Sequence, residues 1–186
     1  SSGDASGFEA ALAHVLEMEG GWSNDSYDPG GPTNFGVTLA VYADYKHIDV
    51  GHDTIAALTA ELKRIPAAEV RDIYRTRYWV KAACDGLPAP IALMHFDAAV
   101  NHGVGAAARM LQQALGVGVD GAIGPVTRSA IAACQPAVLI GRYAEIRRSR
   151  YRSLHHFWRF GRGWLARVDR TLERAGIGLR PPRGAR

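Results

Sequence analysis

Residues 17–38 read EMEGGWSNDSYDPGGPTNFGVT, and this stretch decides how the rest of the chain is read. The eighteen residues after Glu19 hold five glycines and two prolines, which neither a helix nor a strand interior tolerates cheaply. Upstream, Phe8, Ala11, Leu12, Val15 and Leu16 recur at the helical spacing. Residues 8–19 are therefore predicted to form an amphipathic helix that Gly20 and Gly21 end. Eleven residues separate Glu19 from Phe8, and eleven steps of about 100° return it to within roughly 20° of the same face. Glu19 thus belongs to the apolar stripe, where poor hydration favours the protonated carboxyl that a general acid needs. Otherwise it is a helix-end carboxylate turned outward or capping a neighbouring backbone. Asp25, Asp28, Thr33 and Asn34 follow in a segment whose glycines let the backbone fold back. Such a return sets a second carboxylate, Asp28, across a cleft from Glu19. Two carboxyls of unlike hydration are the equipment for hydrolysing a glycosidic bond.

Beyond this loop the pattern is helical. Thr38 is placed to cap a helix in LAVYADYKH, a further segment begins near Asp53 with TIAALTAELKRI, and Pro66 opens AAEVRDIYRTRYW. After DGLPAP (85–90), helices are predicted in IALMHFDAAVNHG and AAARMLQQALG, with Gly103 and Gly105 as punctuation. VDGAIGP forms a second glycine-rich turn, and Pro125 starts VTRSAIAAC. From Pro136 the chain reads as long helices that break at Gly161. No alternating β-branched run makes a convincing strand, apart from a short pair within residues 20–38. The fold class is mostly α, with one elaborate loop.

Composition sets further bounds. The 186 residues carry 47% hydrophobic and 22% charged side chains, enough for an ordinary core in one domain, or one with a small appendage. SSGDASG at the start reads as a trimmed leader or an appended remnant and RPPRGAR as a tail. No apolar run approaches the roughly 18–20 residues that cross a bilayer, and no charged segment followed by an apolar one opens the sequence shown. Cys84 and Cys134 read as buried free thiols rather than a disulfide, and two cysteines make no metal site. Residues 142–186 hold thirteen arginines against three acids. That imbalance suggests a polyanionic partner or, equally, a solvated helix face.

The residues quoted at the outset carry a specific resemblance. EGGWSNDSYDPGGPTNFGVT resembles the Glu-Gly-Gly-aromatic signature of glycoside hydrolase family 108, the lysozyme-like N-acetylmuramidases of bacteria and phages. The similarity continues through DIYRTRYW (72–79) and then FDAAVNHGVGAAARMLQQALG and VDGAIGPVT (96–127), which resemble the predicted peptidoglycan-binding region that commonly follows. It covers roughly residues 8–135 and leaves the arginine-rich end unmatched. The resemblance implies a lysozyme-like helical region over 8–90 with a glycine-rich loop or short hairpin after its first helix. A peptidoglycan-binding region over 91–135 and arginine-rich helices over 136–186 follow. It also implies Glu19 as the catalytic acid of a peptidoglycan hydrolase that cuts between N-acetylmuramic acid and N-acetylglucosamine. More remotely, the order Glu, eight residues, Asp, then Thr resembles phage-type lysozymes, in which Asp and Thr hold the attacking water. Asp28 matches that spacing. Thr33 falls one residue short, so Asn34 is a second candidate for its place. Trp22 stands where the family often has Tyr, and reads either as a sugar-stacking ring or as loop packing.

Other residues are read less specifically. Asp97 and Asn101 share a helix face, where they either bind wall fragments or, the stronger reading, form a buried polar network bracing two helices. Asp25 and Asp28 with Asn24 lack the alternate oxygen pattern and terminal Glu of a calcium loop. DGAIGPVT is equally well explained as a turn made for local reasons. His155 and His156 read as surface residues, and Trp158, Phe160 and Trp164 as core or as an anionic-polymer contact. No nucleophile elbow or phosphate loop is present. No cofactor or metal is expected. The expected partner is peptidoglycan, in the periplasm or cell wall, with an anionic polymer or membrane surface as a second partner for the basic end and the chain acting as a monomer. The alternatives are a catalytically weak wall-binding module and, weaker still, a nucleic-acid binder.

Overall fold

The computed structural model describes residues 2–24 and 31–177, with side chains over 7–24 and 31–176. In chain order these form α1 (Ser2–Glu19), β1 (Thr33–Asn34), β2 (Val37–Thr38), α2 (Leu39–Lys46), α3 (Ile55–Lys63) and α4 (Ala67–Tyr74). A π-helical segment (Arg75–Trp79) leads on to α5 (Ala89–His102), α6 (Val104–Leu115), α7 (Pro125–Ala133), α8 (Pro136–Arg152) and α9 (Phe157–Ile177). The described chain is thus mostly helical, with one antiparallel hairpin after the first helix. It divides into two compact units, Leu12–Arg77 on the one hand and Ser1–Ala11 with Tyr78–Arg186 on the other. This is a different partition from the segments read in the sequence. The opening residues, read there as a leader or remnant, are helical from Ser2.

In the unit Leu12–Arg77, local chemistry explains most element boundaries. The α1 stripe is buried at Leu12 and Val15, and α1 ends where Gly20 turns to φ +73°. Thr38 caps α2 as predicted, its hydroxyl accepting from the Val41 N–H at 3.2 Å. The core contains Leu39, Tyr42, Leu58, Leu62 and Ile73, each below about a tenth exposed. Pro66 precedes α4 in extended conformation, a geometry that proline's fixed φ supplies.

The other unit is a helical cluster built around α5. Ile91, Met94, Phe96, Ala98 and Ala99 are all buried, so α5 is apolar on most of its circumference, as a central helix must be. Phe8 packs edge-on to Trp79 and Phe96, at centroid distances of 5.3 and 6.0 Å. The turn VDGAIGP is clasped by Gln112, which is 1% exposed. The Gln112 amide donates to Asp120 Oδ1 and the Ala122 carbonyl, and its oxygen accepts from the Asp120 and Gly121 N–H groups. Two boundaries differ from the sequence reading. Only Gly103, at φ +93°, separates α5 from α6, while Gly105 lies inside α6. The break between α8 and α9 falls at residues 153–156 rather than at Gly161. Gly161 is a contact point within α9: a Cβ there would lie 2.5 Å from the Phe157 ring, so the missing side chain seats an aromatic instead of ending a helix.

Candidate active site

Glu19 is the last residue of α1 and is partly buried. The backbone beyond it is gathered back at once. The N–H and carbonyl of Ser23 pair with the carbonyl and N–H of Thr33, both at 2.8 Å, which holds Ser23 and Thr33 side by side. Thr33 also faces Thr38 across the hairpin, so it lies between two extended segments. Asp25 and Asp28 lie outside the described residues.

The hairpin turn consists of Phe35 and Gly36, at φ +50° and +76°. That pair of positive values is what a two-residue type I′ turn requires, and it normally selects Asn-Gly. Two contacts hold the turn. The Tyr74 hydroxyl donates to the Phe35 carbonyl at 2.6 Å. Gly36 packs on Glu19, since a Cβ there would come within 2.8 Å of Glu19 Cγ and 2.4 Å of Tyr74 Oη. The turn therefore lies against the methylenes of Glu19 and restricts how its carboxyl can be presented. Tyr74 and Gly36 were not singled out from the sequence. Gly36 was one glycine among five, and Tyr74 lies 39 residues from Phe35 with no local pattern joining them.

The remaining candidates divide by what their side chains touch. Trp22 is partly buried with Lys63 Nζ 5.6 Å from its ring centroid, a cation–π arrangement. Asn34 faces inward: its Nδ2 donates to the Leu62 and Lys63 carbonyls, both at 3.1 Å, and so satisfies the C-terminal end of α3. This is a bracing contact, and at 4% exposure the amide is not presented to a sugar. Asp97, in the other unit, is fully enclosed. Its oxygens accept from Arg147 at 2.8 Å, Arg167 at 3.0 Å and Thr171 at 3.2 Å, which is the helix-bracing network rather than a wall-fragment contact. The Asn101 Nδ2 is buried without a hydrogen-bond partner among the described residues.

The same network uses up part of the arginine-rich segment. Arg147 and Arg167 serve Asp97, and Arg148 pairs with Asp169 and Glu145. His102 accepts from Arg147 Nε at 3.1 Å, and burial together with the nearby arginines lowers its pKa to about 3. It is therefore neutral and acts as an acceptor. Of the aromatics in α9, Trp164 stacks on Tyr151, whereas Trp158 is 79% exposed. Both cysteines are free, Cys84 buried and Cys134 partly so, and burial raises both thiols. Among the described residues no cluster of histidine, cysteine or carboxylate side chains is placed to hold a metal, and no helix is long and apolar enough to cross a membrane.

The sequence matches the family described as Glycosyl hydrolase 108 over residues 12–103. It matches the Predicted Peptidoglycan domain over residues 106–169, a match that continues through α8 and into α9, past the point near residue 135 where the resemblance by motif ended. Among solved structures, that of Brucella abortus SagA is similar to this chain at 35% identity and a TM-score of 0.83, covering 94% of this chain and 97% of that one. No curated protein sequence matches.

Proposed function

We propose, from the premise that the chain belongs to the glycosyl hydrolase 108 family and carries a peptidoglycan domain behind its hydrolase domain, that it is an N-acetylmuramidase with Glu19 as its general acid. That the protein is a lysozyme-like peptidoglycan hydrolase, with the cell wall as its target, follows from that membership. The bond cut and the residues that cut it are the proposal. In this reading Glu19 protonates the departing glycosidic oxygen, Asp28 steadies the positive charge developing on the sugar or activates water, and Thr33 orients that water. Trp22 offers a partly exposed ring face toward the glycan.

The observation that carries the proposal is the seat of Glu19. A carboxyl at a helix end would ordinarily swing through solvent, but here the methylenes lie under a turn whose backbone conformation only Gly36 readily adopts. General acid catalysis needs a proton delivered from a fixed direction. Glu19→Gln keeps the shape and removes the proton, so clearing of purified sacculi should fall by about 10²–10⁴-fold. Mass spectrometry of wild-type digests should show reducing N-acetylmuramic acid ends. Undiminished clearing by Glu19→Gln, or reducing N-acetylglucosamine ends, would reject the assignment.

A further inference from the structure

Between α6 and α8 lies a groove of about 540 Å³. Its rim carries Arg109, Arg150, Gln113, Ser149 and Ser153, its floor Met110, Ile146 and Ala106, and no carboxylate lines it. Neither Arg109 nor Arg150 has a carboxylate partner among the described residues, whereas Arg147, Arg148 and Arg167 are engaged. Arg109 is also seated: a Cβ on Gly105 or Gly121 would come 3.4 Å from its guanidinium, so the two missing side chains leave the space it occupies. Every residue lining the groove falls within the segment matched to the peptidoglycan domain.

We propose that this groove binds the peptide stem of peptidoglycan, the two guanidiniums taking stem carboxylates while the apolar floor takes alanine methyls. Guanidinium is the side chain suited to paired hydrogen bonding with carboxylate, and a short acidic peptide is the wall component that supplies carboxylates next to methyl groups. The proposal rests on the reading of the protein as a peptidoglycan hydrolase, but it concerns where the substrate's peptide is held and not which bond is cut.

The probes are stem tetrapeptide released from sacculi and glycan strands freed of peptide by an amidase. In NMR titration of the wild type, the tetrapeptide should shift resonances of Arg109, Gln113, Ser149 and Arg150. Arg109→Gln with Arg150→Gln should weaken tetrapeptide binding at least tenfold and slow hydrolysis of intact sacculi. The same double variant should cut peptide-free glycan at the wild-type rate. Shifts confined to other residues, unchanged affinity in the double variant, or equal loss on both substrates would overturn the proposal. Failure of the wild type to cut both intact sacculi and peptide-free glycan would count against the muramidase reading alone, because the binding titration is independent of turnover.

A different observation carries a second assignment. Phe35 holds a left-handed backbone conformation, φ +50°, that Asn or Gly adopts far more readily. At 39% exposure its ring is not repaid by full burial. We infer that Phe35 is a glycan-contacting residue beside Glu19, its ring offered to a sugar face. In the Glu19→Gln background, Phe35→Asn should weaken binding of peptide-free glycan severalfold while leaving the melting temperature unchanged or higher. Undiminished glycan binding would refute it, as would a melting temperature lowered in step with the loss.

Discussion

Gly36 decides more about the candidate site than its size suggests. Alanine at φ +76° costs about 1–3 kcal/mol in backbone strain, and its Cβ would meet Tyr74 Oη at 2.4 Å and Glu19 Cγ at 2.8 Å. Tyr74 cannot yield without cost, because it is 1% exposed and holds the Phe35 carbonyl, so the Glu19 side chain is the one that must shift. Gly36→Ala should therefore lower stability in urea unfolding by at least that strain. It should also reduce sacculus clearing below what the lost stability explains, because the Glu19 side chain is displaced in the folded molecules that remain. Clearing that tracks only the folded fraction would show that the turn does not aim the acid. The position of Glu19 on the apolar stripe was legible, since helical periodicity reaches it from Phe8. What presses on it was not, because the pressing groups come from a turn made by Phe-Gly in place of the Asn-Gly that would have announced a hairpin.

At the scale of the element, α5 concentrates buried polarity. Asp97 is enclosed with Arg147, and both side chains have no exposed surface. Asp97→Asn keeps the shape and leaves the Arg147 guanidinium without its compensating charge, so it should cost about 3–5 kcal/mol, read as a lowered urea midpoint with an unchanged slope. A midpoint that stays put would mean that Arg147 finds another anion. Two residues earlier, His95 is fully buried, with Nε2 at 2.9 Å from the Ala82 carbonyl and Nδ1 at 2.8 Å from the Tyr143 hydroxyl. The Ala82 carbonyl can only accept, so the neutral ring carries its proton on Nε2, while the Tyr143 hydroxyl beside Nδ1 donates its single proton to the Ala107 carbonyl at 2.9 Å. Burial lowers the His95 pKa from 6.5 to about 4. Between those values the unfolded chain binds a proton that the folded chain refuses, and stability therefore falls as pH drops through that window, by up to about 3 kcal/mol. His95→Gln should flatten the pH dependence of stability between pH 7 and 4 by that amount, and an unchanged slope would place the titration elsewhere. Helix α5 itself was plain from its apolar run, and the shared face of Asp97 and Asn101 was visible as spacing. The partners of Asp97 lie 50 and 70 residues further on, where arginine-rich composition suggests surface and gives no hint that one guanidinium is fully enclosed.

At the scale of the whole molecule, the family match and the compact units begin at different places. The hydrolase match starts at residue 12, which invites expression of a chain begun there. Yet the compact unit containing Tyr78–Arg186 also includes the residues up to Ala11, and the reason is Phe8, with no exposed surface and ring contacts to Trp79 and Phe96. Removing a buried phenylalanine from such a cluster costs about 3–5 kcal/mol through lost transfer energy and the cavity left behind, a large share of the roughly 5–15 kcal/mol that holds a domain together. The sequence placed Phe8 on the first helix and gave it the same role as Leu12 and Val15, because periodicity reports which face is apolar and not which partner covers it. Phe8→Ala in the full chain, and a chain begun at Leu12, should therefore lose amide protection in α5, α6 and α8 to a similar degree in hydrogen exchange. Phe8→Leu, which refills most of the volume, should recover the greater part. If the chain begun at Leu12 keeps wild-type protection in those three helices, the first eleven residues are dispensable and the packing of Phe8 carries none of the energy assigned to it.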